Sequence, residues 1–251
     1  DYLAELASQA AGANVDAIHQ AREAVQKVLG ERLQTSFRLA YDRLEIKQSY
    51  APDASQIARR SLRNTCLSYL VSSDRKNMQL ATLQYQVAGN MTDRLAALKS
   101  VAFYGEDGLR DTMLDDFYEN WREESLVVNQ WLQVQAMIPD DRALARVQRL
   151  MSHEAFDLRN PNKVRALIGA FTTLNPVNFH RVDASGYRLL ADIVLELNTV
   201  NPQIAARLLT PLTRWRNYVG RKDLMRAELE RLAAAKTLSP DVYEVVTKSL
   251  E

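Results

Sequence analysis

Apolar residues recur along this chain at intervals of three and four, the signature of helices that each bury one face. Leu33, Phe37, Ala40 and Leu44 form such a stripe in a helix expected over 31–46. Leu62, Cys66, Tyr69 and Leu70 form another in a helix expected over 54–71. Val164, Leu167, Ile168 and Phe171 follow the same rule, as do Leu189, Leu190, Ile193, Val194 and Leu197. No stretch alternates apolar and polar residues with β-branched enrichment, and no Asn-Gly or Asp-Gly turn separates two such stretches. The pattern predicts an all-α protein of roughly a dozen helices joined by short links. Successive helices of similar length suggest antiparallel pairs stacked as an irregular superhelical array, an ARM/HEAT-like solenoid without an exact period.

Helix starts and stops are marked in the sequence. Asn14 precedes a helix that Gly30 is expected to end, and Asn90 caps another after Gly89. Ser72-Ser73-Asp74, Pro139-Asp140-Asp141 and Asp183 to Tyr187 lead into further helices, and Ser239-Pro240 opens the last one. Asparagine is a good N-cap and proline suits the first helical position, so Asn160-Pro161, Asn175-Pro176 and Asn201-Pro202 read as three helix openings. The first and third lie forty-one residues apart, and each carries an arginine soon after its start, Arg165 and Arg207. That repetition points to two guanidinium groups aimed at one cavity. Solvation or structural pairing of both arginines is the alternative reading.

Composition narrows the classes of function. The chain of 251 residues is long enough for one large domain or two small ones. Thirty-two basic against thirty-one acidic residues leave a net charge of +1, so no bulk field attracts nucleic acid or an acidic membrane. Cys66 is the sole cysteine, which excludes an intramolecular disulfide and a cysteine-based metal cluster. Its place on an apolar stripe suits a small buried hydrophobe better than a reactive thiol. No apolar run reaches the length of a membrane span, and the first residues lack the plan of a signal peptide. The chain begins at Asp1 without an initiating methionine, which suggests a fragment.

Catalytic motifs are incomplete or missing. His153-Glu154-Ala155-Phe156-Asp157 begins like the His-Glu-x-x-His zinc motif, but Asp157 stands where the second histidine is needed. His19 and His180 have no ligand-like spacing, and neither a phosphate-binding loop nor a Gly-x-Ser-x-Gly elbow occurs. The expectation is therefore no catalytic residue and no metal ligand in this chain.

The stretch from Asn160 to Leu209 closely resembles the C-terminal helical domain of bacterial aminopeptidase N, the alanyl aminopeptidase of the gluzincin metallopeptidases. The resemblance covers most of the chain, including Ile57 to Leu67, Asn90-Met91-Thr92-Asp93, Leu95 to Leu98, Ser185-Gly186-Tyr187, Asn198 to Gln203 and Leu238 to Glu244. It implies that 1–251 form a single all-helical domain, the C-terminal part of a larger enzyme whose catalytic zinc domain lies upstream. The family enzyme releases alanine and other neutral or basic N-terminal residues from peptides by zinc-activated water. The resemblance further implies that this domain encloses an internal chamber, with Arg165, Arg207 and Gln203 near the far end of the substrate. Zinc is expected in the upstream domain and no cofactor in this chain. The implied partners are that domain and peptide substrates, with neither nucleic acid nor membrane, in the cytoplasm. A free-standing helical-repeat module that binds peptide or protein is the competing expectation.

Overall fold

A computed structural model describes residues 12–251. Helices form where the stripes predict them, although Leu33 and Leu62 of those stripes are exposed, and no β-strand forms among the described residues; one isolated bridge joins Ala13 to Tyr218. The fold is an all-α helical repeat array whose described residues divide into two units, 20–121 and 12–19 with 122–251.

The unit formed by 20–121 holds most of α1 (Val15–Arg32), then α2 (Gln34–Arg43) and α3 (Ala54–Ser73). After a 3-10 turn at Arg75–Asn77 come α4 (Met78–Val87), α5 (Met91–Tyr104) and α6 (Asp107–Trp121). α3 packs on both α2 and α5, and α5 also packs on α4 and α6. Cys66, Leu67 and Leu70 from α3 meet this core with Leu98, Val101 and Phe117, all buried. Burial pushes the Cys66 thiol above its usual range, which disfavours the reactive thiolate.

Gly30 departs from expectation. Rather than ending α1, it sits two residues before the helix end. A Cβ there would fall 2.6 Å from both the Tyr69 carbonyl oxygen and the Ser73 Cβ. Glycine is needed for the close approach of α1 to α3, not for a left-handed cap.

The other unit contains α7 (Ser125–Met137), α8 (Ala143–Met151) and a segmented helix built from α9 (Pro161–Val164), a π-helical turn (Arg165–Gly169) and α10 (Ala170–Leu174). It continues through α11 (Pro176–Phe179), α12 (Ser185–Val200), α13 (Pro202–Leu208) and α14 (Thr210–Thr213). A 3-10 turn (Trp215–Asn217) precedes α15 (Lys222–Ala233) and α16 (Pro240–Leu250). α7 packs on the π turn and α10, while α12 packs on α13 and α15. Val164, Leu167, Ile168 and Phe171 are all fully buried, as their spacing predicts.

The Asn-Pro openings use asparagine in two ways. Asn160 Oδ1 accepts the backbone N–H groups of Asn162 and Lys163, and Asn201 Oδ1 accepts that of Ile204. Asn175 is buried and makes no such cap. Its Nδ2 donates to the carbonyls of Ala136 and Ile138 at 2.9 Å each, where α7 ends. Its Oδ1 accepts from Asn178 Nδ2 at 3.0 Å.

Candidate functional site

Arg165 and Arg207 line one cavity of about 320 Å3. Arg165 enters it from the π turn, where the Ala170 N–H reaches back to the Arg165 carbonyl and widens the helix by one residue. Arg207 enters from the last turn of α13, and Gln133 from α7. Apolar side chains, among them Leu174, Ile204 and Pro211, complete the wall. The cavity thus combines two cations with a mainly apolar surround, a combination suited to a ligand with a charged end and an uncharged body.

The guanidinium groups are exposed and incompletely engaged. Arg165 Nε donates to the Pro161 carbonyl at 3.2 Å, and Nη2 donates to Asn162 Oδ1 at 2.8 Å. Both acceptors lie in the first turn of the same segment, so they steer the arginine without neutralising it. Among the described residues no carboxylate lies within ion-pairing distance of Arg165 or Arg207. Each retains N–H groups for an incoming carboxylate or carbonyl, and the fork geometry permits two bonds at once.

The three residues expected at the site do not all converge. Arg165 and Arg207 share the cavity, whereas Gln203 is exposed and does not line it. Gln203 precedes Arg207 by one helical turn, and the cap of α13 is made by Asn201 alone. Gln133 is a wall residue that sequence reasoning passed over. It lies between Leu132 and Val134 in a helix that also carries Asn129, Gln130 and Gln135, so nothing in the sequence singles it out.

The His153 stretch forms an irregular link rather than a helix. Its Nδ1 accepts the Ala155 N–H at 3.0 Å, and its ring packs 5.3 Å from that of Trp131. A zinc-binding pair one helical turn apart cannot be built on this backbone. Among the described residues no three His, Cys, Asp or Glu side chains are grouped to hold a metal.

The same unit holds a second polar cluster around Arg221 and His180, both buried. Arg221 Nε donates to the His180 carbonyl at 2.6 Å, and its Nη2 donates to Asp16 Oδ2 at 2.8 Å. His180 Nδ1 lies 2.8 Å from the Tyr187 hydroxyl. Burial, reinforced by the Arg221 charge, pushes His180 down to about 4, so the ring is neutral at pH 7.

Fold and cavity together define an all-α repeat domain with a two-arginine pocket. Comparison with known proteins places it more closely. The family model described as "Domain of unknown function (DUF3458_C) ARM repeats" matches residues 2–251. Aminopeptidase N of Haemophilus influenzae is 40% identical over 94% of this chain and 27% of its own length. The Escherichia coli protein of the same name is 38% identical over 93% and 27%, respectively. That of Caulobacter vibrioides is 38% identical over 98% and 29%. The crystal structure of Legionella pneumophila aminopeptidase A in complex with aspartic acid superposes with a TM-score of 0.87 at 32% identity, covering 97% of this chain and 30% of that one. The chain belongs to this ARM-repeat family, and within it to the C-terminal helical domains of aminopeptidase N. It spans under a third of the length of each of these relatives.

Proposed function

We propose that this chain is the substrate-enclosing part of a zinc-dependent aminopeptidase, one that anchors peptides while an upstream domain of the same polypeptide cleaves them. The observation that carries the proposal is the convergence of Arg165 and Arg207 on one cavity, with no carboxylate paired to either among the described residues. A peptide held at its N-terminus by a distant catalytic centre presents its C-terminal carboxylate at the other end. Two open guanidinium forks are suited to receive that group, or the last carbonyls of a longer peptide. Gln133 offers an amide to the peptide backbone inside the pocket, and Gln203 meets substrate only beyond its wall. The apolar side chains between them accept neutral residues without selecting one sequence.

Zinc supplies the activated water in such enzymes, and among the described residues no three His, Cys, Asp or Glu side chains are grouped to hold it. We assign the metal to the upstream domain, and binding and enclosure to this chain. Exposed Val25, Leu29 and Leu33, spaced at four-residue intervals along and just past α1, suit burial against another part of the complete protein. The proposed setting is cytoplasmic peptide catabolism, with alanine and other neutral or basic residues released.

The test uses Arg165→Ala and Arg207→Ala in the complete protein. Each should lower kcat/KM on peptides with a free C-terminal carboxylate by about 5- to 150-fold, the equivalent of about 1–3 kcal/mol for a charged hydrogen bond. Uncharged aminoacyl amide reporters should lose much less. Equal losses on both substrate classes would show that the arginines act on the fold and not on the ligand.

A further inference from the structure

The unit formed by 20–121 holds a second pair of arginines, remote in sequence from the site above. Arg60 and Arg63 lie three residues apart on α3, hence on one face of the helix, and both line a cavity of about 180 Å3. Arg60 is 4% exposed. Its Nη1 donates to Gln56 Oε1 at 3.0 Å, its Nη2 donates to the Ala51 carbonyl at 3.2 Å, and it lies 4.9 Å from the Tyr50 ring centroid. Arg63 Nε donates to the Tyr41 carbonyl at 3.3 Å and Nη1 to Gln84 Oε1 at 2.9 Å, while its guanidinium stacks 4.1 Å from the Tyr41 ring. Every one of these oxygen partners is neutral.

A buried guanidinium keeps its charge and is costly to bury unless an anion compensates it. Among the described residues none does so within ion-pairing distance of Arg60 or Arg63. Two acidic residues border the same cavity, but neither fills the role. Asp93 Oδ1 accepts from Asn64 Nδ2 and Oδ2 from Asn90 Nδ2, at 2.9 Å each, so its carboxylate is turned to these amides and its charge reaches the arginines only through space. Glu45 is exposed. Each arginine therefore keeps unused N–H donors, held in place by a tyrosine face and an amide oxygen.

We infer that the Arg60–Arg63 cavity is an anion site that takes a single carboxylate group through the unused N–H donors of the two guanidinium groups. The carboxylate has two possible sources, a free small carboxylic acid or an acidic side chain from the remainder of the complete polypeptide. The volume suits a ligand of a few heavy atoms and not a peptide. This site is independent of the peptide-anchoring cavity, and either assignment can fail alone.

Calorimetric titration of this chain with acetate, at ionic strength held constant with chloride, tests it. In the Arg165→Gln/Arg207→Gln background, which removes the peptide-anchoring forks, one saturable site per chain in the millimolar range is expected, with a rise in Tm. Arg63→Gln, at a half-buried position, should weaken acetate binding by about tenfold or more, because a charged two-point contact is lost. Binding to the chain but not to the complete protein would assign the occupant to an internal acidic side chain; binding to both would assign it to a free acid. Absence of saturable binding, an equal effect from chloride, or unaltered binding in folded Arg63→Gln would each overturn the inference.

Discussion

At the scale of single residues, environment decides what a side-chain type does. His180 is one of three histidines, yet its sequence gives no hint that its ring is sealed between Phe179, Tyr187 and Tyr218. The neutral form is favoured by burial first and by the Arg221 charge second, while Asp16 opposes both. With a folded value of about 4 against an ordinary 6.5, the unfolded chain binds more protons between those limits. Stability from this group is therefore present above pH 6.5 and lost as pH falls toward 4. At 1.36 kcal/mol per pH unit the full loss is about 3 kcal/mol. Denaturant unfolding across that range should show the decline, and the difference between wild type and His180→Gln isolates this histidine from titrating carboxylates. The two cavity arginines differ from His180 in being legible beforehand. Their offset from a repeated Asn-Pro opening exposed them, whereas Gln133 had no such marker.

At the scale of elements, identical starts serve different ends. Asn160 satisfies two backbone donors at the exposed opening of α9, so Asn160→Ala should cost about 1 kcal/mol, as for other N-caps. Asn175 instead satisfies two carbonyls at the buried end of α7. Asn175→Ala should cost at least about 2 kcal/mol, since each orphaned buried acceptor costs on the order of 1–3 kcal/mol. Equilibrium unfolding of both variants measures the contrast, and equal costs would mean that water replaces the Asn175 amide. The π turn was equally hidden. Its apolar stripe fits a regular helix, whereas the backbone shifts to π-type hydrogen bonding where the segment packs against α7.

At the scale of the molecule, the proposal separates enclosure from chemistry. The 251-residue chain with added zinc should not hydrolyse an alanyl reporter, while the complete protein should. Turnover by the chain alone would mean that a metal site assembles from residues that no group of three donors marks here. His153 and Glu154 would be the first to examine, although their backbone is not helical.

Helical class, most helix positions, the buried stripe of Val164, Leu167, Ile168 and Phe171 and the like placing of Arg165 and Arg207 after two Asn-Pro openings were legible in the sequence. Each rests on local physics: the 3.6-residue period, the capping of orphan N–H groups and the fixed backbone angle of proline. Only the tertiary structure decided that Gly30 permits close helix contact, that Asn175 serves another helix, and that Gln133 joins the arginine cavity while Gln203 does not. It alone revealed that Arg60 and Arg63 share a cavity with no direct carboxylate partner among the described residues. Those features depend on which groups meet across long sequence separations, and spacing along one helix carries no information about its neighbours.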